Sequence, residues 1–181
     1  MFKTEFKQGC VLVLGGARSG KSSLALDICN KMEGNRYFIA TAQAFDDEMG
    51  DRIKRHQEER GNEWKTIEEA INIAEKIKEV EGDEVIILVD CLTLWLSNLY
   101  MKYESDTDSV YNKIDEFLDG LAKTKGRIVL VSNEVGMGIV PENKLARLYR
   151  DAAGTMNRKI AEKANKVVIT FSGLPIVLKE K

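Results

Sequence analysis

The chain has 181 residues, 44% of them hydrophobic and 31% charged, with a formal net charge of −2. Those proportions fit an ordinary globular protein with one sizeable core, and residues 1–181 are read as a single domain. The mixed charge argues against a broad nucleic-acid or membrane surface, no apolar run nears the ~20 residues of a bilayer span, and the N-terminus carries no apolar signal core.

The first predicted element is a strand, Cys10–Leu14. It runs directly into Gly15, Gly16, Ala17, Arg18, Ser19, Gly20, Lys21 and Ser22, which fit the phosphate-binding pattern G-x-x-x-x-G-K-[ST] at every position. Glycines let backbone N–H groups turn toward an anion, and the helix predicted over Lys21–Met32 adds its positive end. Lys21 can reach the β- and γ-phosphates, and the Ser22 hydroxyl is placed to ligate Mg²⁺. A glycine turn with a chance lysine is the plainer alternative, disfavoured by the strand before it and the helix after. The chain is expected to bind a nucleoside triphosphate.

A second strand, Tyr37–Ala40, precedes an unusual helical pattern at Asp46–Arg60. Only Met49 and Ile53 form an apolar pair there, so this helix is expected to lie on the surface. Arg52, His56 and Arg60 share one face, and His56 is the sole histidine. A neutral imidazole between guanidinium groups suits nucleophilic attack on a phosphate. A solvated helix with Glu48–Arg52 and Arg55–Glu59 pairs accounts for the same spacing, and on spacing alone it is favoured.

A helix over Ile67–Val80 leads to the apolar strand Val85–Asp90. Asp90 is the one acid that closes such a run, which makes it the candidate second Mg²⁺ ligand. It could also cap the following helix, and both roles are compatible. Helices at Leu92–Tyr103, Ser109–Lys123 and Glu142–Ala164 alternate with strands at Arg127–Ser132, Val167–Phe171 and Ile176–Leu178. Continuous rather than alternating apolar runs indicate strands buried on both faces. The expected fold is therefore a P-loop NTPase-type α/β domain, doubly wound, with a mostly parallel sheet flanked by helices and the nucleotide at the carboxyl ends of the strands. Cys10, Cys29 and Cys91 have no metal spacing, and an odd count without a framework fits a reducing cytoplasm.

Two further signals are set aside. Asn112-Lys113-Ile114-Asp115 resembles the guanine-reading N-K-x-D of regulatory GTPases, but it lies within a helical repeat and no Asp-x-x-Gly follows Asp90. Trp95, Leu96, Leu99 and Met101 read as core or subunit interface rather than a pocket, and Gly136-Met137-Gly138 as a loop near an acceptor or a plain connection.

Beyond the phosphate loop, Ile39–Ala42, Asp46–Met49 with Arg52, His56 and Arg60, Val89–Thr93, and Asn133-Glu134-Val135-Gly136-Met137-Gly138-Ile139-Val140-Pro141 form a distinctive set. With Arg147, Tyr149–Asp151, Gly154 and Asn157, they closely resemble the bifunctional adenosylcobinamide kinase/adenosylcobinamide-phosphate guanylyltransferase family, from Val11 to Lys179. The resemblance implies phosphorylation of adenosylcobinamide with ATP or GTP. It further implies guanylylation of a histidine by GTP and transfer of GMP to adenosylcobinamide phosphate, in cobalamin biosynthesis. By motif position that histidine is His56, and Arg55 stands where some members carry a second histidine. The nucleotide contacts it implies are the phosphate loop, Ala40, Thr41, Ala42, Gln57, Glu58, Glu59, Arg60, Glu68 and Asp90, with Lys21 and His56 catalytic. It also implies a homo-oligomer, a trimer being one form. A P-loop kinase for another small alcohol and a GTP-dependent switch are the competing readings.

Overall fold

Apolar strands without alternation need cover on both faces, and the chain supplies it with helices. The computed structural model describes residues 8–43 and 61–180. The predicted helix Asp46–Arg60, with His56 and Gln57 to Arg60, lies outside the described residues.

In chain order the elements are β1 (Gly9–Gly15), α1 (Lys21–Asn30), β2 (Asn35–Ala40), β3 (Trp64–Glu68), α2 (Ile73–Val80) and β4 (Val85–Asp90). They continue with α3 (Leu92–Lys102), α4 (Thr107–Lys123), β5 (Arg127–Asn133), α5 (Lys144–Lys163), β6 (Lys166–Phe171) and β7 (Leu174–Glu180). The strands form one sheet in the order β3-β2-β4-β5-β1-β6-β7. All neighbours pair in parallel except β6 and β7, which form an antiparallel hairpin at one edge. The doubly wound, mostly parallel sheet expected from the sequence is present.

Each strand sends alternate side chains to two cores. On one face Val11, Val13, Ile86, Leu88, Val129 and Val131 pack with Ala25, Ile28 and Cys29 of α1. On the other, Leu12, Leu14, Ile87, Val89, Ile128 and Leu130 meet α2, α3, α4 and α5. The centre of that layer is Trp95, whose ring lies 5.3 Å from that of Phe117 and whose indole N–H donates to the Ile71 carbonyl at 2.7 Å. Leu96 and Leu99 are fully buried beside it, as expected; Met101 is 54% exposed and is not core.

Most boundaries shift by one or two residues, and three elements differ in a way that matters to the site. Trp64–Glu68 is a parallel strand beside β2, so the helix expected from Ile67 begins at Ile73. Trp64 is buried edge-on against Phe38, with ring centroids 6.3 Å apart, and the Glu69 carboxylate accepts from the N–H groups of Ile71 and Asn72 to turn the chain. The last strand spans seven residues rather than three, because the Ser172–Gly173 turn closes a hairpin. Helix α5 starts at Lys144, where Asn143 accepts from the Ala146 N–H at 3.0 Å and so acts as N-cap. The guanine-motif lookalike at Asn112–Asp115 lies inside α4, with Ile114 fully buried and Asp115 paired to Lys159.

Phe117 is 1% exposed and fills the space between α3 and α4. Phe117→Ala should lower stability by about 3–5 kcal/mol, the usual cost of so large a core truncation. Urea unfolding monitored by circular dichroism measures it; a loss under about 1 kcal/mol would mean that the helical layer repacks freely.

Candidate functional site

The phosphate loop joins β1 to α1, and its shape is fixed from outside. Gly15 has φ 154°, and a Cβ there would collide with the side-chain oxygens of Thr170 and Ser19. Gly20, at φ 91°, is the N-cap of α1 and sits against Gly173. A glycine cap offers no side chain to the first-turn N–H groups, so these stay directed at an incoming anion. Arg18 is held in the left-handed region at φ 53° and is exposed at the loop's crown.

Two neighbouring strands clamp the loop. The Ser19 hydroxyl is 2.7 Å from that of Thr170 on β6, and the Thr170 hydroxyl reaches the Leu14 carbonyl at 3.2 Å. The Gly173 N–H of the β6–β7 turn donates to the Ser19 carbonyl at 3.0 Å, and the Glu134 N–H just beyond β5 donates to the Gly15 carbonyl at 3.0 Å. Lys21 is 8% exposed and its ammonium donates to the Gly16 carbonyl at 2.6 Å, across the concave side of the loop. Ser22 follows on the first turn of α1, half-buried.

Asp90 ends β4 at the same edge of the sheet. Register aligns Glu68 with Ala40 and Ala40 with Asp90, so these three form a row across β3, β2 and β4. Strand β5 separates β4 from β1, which puts Asp90 about 10 Å from the loop strand at two strand spacings. Glu68 lies about 19 Å away at four spacings. The structure thus brings the loop, Ala40, Thr41, Ala42, Glu68 and Asp90 to one edge. The Thr41 hydroxyl is spent internally: it donates to the Cys91 carbonyl and accepts from the Cys91 N–H, both at 2.8 Å. Thr41 therefore braces the turn after Asp90.

Beneath this edge runs a polar network of residues that the sequence marked as carriers of the family resemblance but to which it gave no role. The Asn133 amide donates to the Thr93 hydroxyl at 2.8 Å, and the Asn157 amide donates to the Asn133 carbonyl at 3.0 Å. The Ser132 hydroxyl donates to Asn157, and the Tyr149 hydroxyl donates to the Thr93 carbonyl at 2.8 Å. Burial pushes the Tyr149 phenol up to about 12, so it stays a donor at physiological pH. The available signal was the polar run Ser132-Asn133-Glu134 closing an apolar strand. Cys91, next to Asp90, is buried, and burial first and the Asp90 charge second raise its thiol. It is not a nucleophile at neutral pH. Among the described residues no cluster of three or more His, Cys, Asp or Glu could hold a metal, and no helix is long and apolar enough to cross a membrane.

Residues 11–178 match the family described as cobinamide kinase/cobinamide phosphate guanyltransferase. The chain belongs to that family. Its enzyme class is the family's: phosphoryl transfer to a cobinamide and guanylyl transfer to the resulting phosphate. Relatives include the bifunctional adenosylcobalamin biosynthesis protein CobP of Pseudomonas aeruginosa, 44% identical over 93% of this chain and 96% of its own length. The corresponding CobU of Escherichia coli is 37% identical over 93% of this chain and 99% of its own. Among solved structures, a Pyrococcus horikoshii protein matches with a TM-score of 0.58 at 11% identity, covering 97% of this chain and 88% of that one. The RadB recombinase matches at 0.56 and 11%, covering 97% and 83%. At these identities the likeness is one of fold, that of P-loop NTPases.

The Thr170 hydroxyl bonds both the loop and the strand that launches it, which yields a direct test. Thr170→Val keeps the shape of the side chain but removes a bond of about 1 kcal/mol. Affinity for a fluorescent GTP analogue should fall about fivefold with the fold retained; unchanged affinity would mean that Gly173 and Glu134 hold the loop unaided.

Proposed function

We propose that the single phosphate loop serves both reactions. In the first, ATP or GTP donates its γ-phosphoryl group to the hydroxyl of adenosylcobinamide. In the second, a His56 ring nitrogen attacks the α-phosphorus of GTP, the bond to the bridging oxygen breaks, and pyrophosphate leaves with the electron pair. The phosphate oxygen of adenosylcobinamide phosphate then displaces His56 from the same phosphorus, giving adenosylcobinamide-GDP. The observation that carries the proposal is the buried Lys21 at the centre of a clamped loop, on the edge that also presents Asp90.

Both reactions load negative charge onto the β- and γ-phosphates, and Lys21 with the α1 N-terminus would offset it. The Ser22 hydroxyl and the Asp90 carboxylate are hard oxygen donors of the kind Mg²⁺ takes, and they would hold it. Bound there, Mg²⁺ would neutralise charge on the triphosphate. Ala40, Thr41, Ala42 and Glu68 lie in one row with Asp90, which supports a nucleotide stretched along the strand ends toward β3. Gln57, Glu58, Glu59 and Arg60 are proposed as further contacts. Free, buried Cys10, Cys29 and Cys91 support a cytoplasmic setting. Outer strand β7 exposes Leu174, Ile176, Val177 and Leu178, which supports a homo-oligomer.

α-Labelled GTP should leave covalent GMP on His56 as an acid-labile, base-stable phosphoramidate. His56→Asn should lose label and guanylyl transfer together, while kinase activity persists at least in part, because phosphoryl transfer depends on positioning and charge. Label retained in His56→Asn, or mapped to a lysine, would overturn the assignment. Asp90→Asn keeps the shape and removes the anionic donor; turnover should fall and recover in part at raised Mg²⁺. A rate and Mg²⁺ dependence equal to the parent's would reduce Asp90 to a structural role.

A further inference from the structure

The donor end of the reaction has its fittings in the loop, but an acceptor as large as a cobinamide needs a surface of its own. Two features on the α3–α5 side of the sheet present apolar surface. One is the connection between β5 and α5, which exposes Met137 at 72%, Ile139 at 96% and Val140 at 58%. The other is a cavity of about 630 Å³ between α3 and α5, walled by Tyr100, Met101, Leu145 and Tyr149. A cavity of that size lies within the range of ligand pockets.

The connection links the cavity to the phosphate loop along the chain. The connection starts at Glu134, whose N–H holds the Gly15 carbonyl, and ends at Asn143, which lines the cavity and caps α5. Arg147 fixes its exit by donating to the carbonyls of Pro141 and Glu142. From the other side, α3 springs from the turn after Asp90 and reaches the cavity at Ser97, about 8 Å along its axis at 1.5 Å per residue. Both tyrosine hydroxyls are tied inward, Tyr149 to the Thr93 carbonyl and Tyr100 to the Leu148 carbonyl at 3.2 Å. Both rings border the cavity, Tyr100 while packed in the core against Tyr149, and Ser97, Ser105 and Asn143 add neutral polar groups to its lining. Among the described residues that line it, Glu104 is the one charged side chain and there is no lysine or arginine, a lining that matches a neutral apolar ligand better than a phosphate.

We infer that this groove, with the Val135–Val140 connection, seats the macrocycle of the acceptor cobinamide so that its hydroxyl-bearing arm extends over Glu134 to the loop. The inference rests on the functional reading above. A corrin ring has broad apolar faces fringed by neutral carboxamides, which matches apolar walls with a neutral hydrogen-bonding rim. Seating the ring beside rather than over the loop leaves the phosphates reachable by both the arm and the protein nucleophile.

Equilibrium dialysis with dicyanocobinamide, read by its visible absorbance, tests the placement. Met101→Glu, Leu145→Glu and Ile139→Ser alter side chains that are 54%, 46% and 96% exposed, so the fold should tolerate them. Each should raise the dissociation constant for the corrinoid about tenfold or more, since a carboxylate or hydroxyl would be desolvated against the ring. GTP binding, covalent labelling by α-labelled GTP and sedimentation mass should match the parent. Unchanged corrinoid affinity, or a fall in sedimentation mass that marks the groove as a subunit contact, would overturn the inference while leaving the functional reading intact. A parent protein that neither binds nor turns over cobinamide would overturn both.

Discussion

The hydrogen bond between Ser19 and Thr170 is the hinge of the design, because a phosphate loop has to keep donors aimed at a ligand without using them up. Backbone N–H groups left to themselves find partners within the chain. Here the outward-facing atoms are satisfied by others: the Ser19 side chain by Thr170, the Ser19 carbonyl by Gly173 and the Gly15 carbonyl by Glu134. Gly15 and Gly20 make that possible, one by admitting the Thr170 side chain and the other by letting the hairpin turn approach. The antiparallel β7, which looks like an appendage to a parallel sheet, has a structural reason in this light. Its turn props the loop.

Strand order then sets the reach of the chemistry. Placing β5 between the loop strand and the acid strand sets those strands about 10 Å apart, a spacing that adjacent strands would halve. The polar residues tied together at this end of the sheet are Asn133, Thr93, Asn157 and Tyr149. Each bond in this chain links a different pair of elements, among β5, α3 and α5. The ends of three elements are thereby held relative to one another by polar bonds in a mostly buried setting, where such bonds are strong and costly to break.

The parts legible in the sequence are those whose signal is local. The loop could be read because eight consecutive residues carry its chemistry, and the central strands because burial on both faces leaves continuous apolar runs. Strand β3 was obscured because Ile67, Ile71, Ala74 and Ile77 continue a helical spacing across a strand and a turn, and only pairing with β2 decides which residues are extended. The hairpin and the Thr170 clamp were not legible for a stronger reason. Thr170 stands 151 positions from Ser19, and no local rule connects a threonine in a late strand to a serine in an early loop. The Asn133 network is long-range in the same way: the sequence offered its members as carriers of a resemblance, but not the bonds between them.

The two reactions differ less than their products imply. If one loop serves both, as proposed, each places a triphosphate against Lys21 and Ser22, and they part only in which phosphorus is attacked and by what. On the proposed reading, the edge of the sheet is a fixed bench, and specificity lies in where each nucleophile enters. Residues 44–60, which include His56, connect β2 to β3, whereas the Glu134–Asn143 connection leaves β5. Strand β4, with Asp90, runs between β2 and β5. On that reading, the segment carrying the proposed guanylyl-accepting residue attaches to the sheet at β2 and β3, on one side of β4, and the proposed cobinamide seat attaches at β5, on the other. A nucleotide lying along that edge presents its phosphates to both without the loop having to change shape, and a clamp closed by Thr170, Gly173 and Glu134 is what such a division of labour requires.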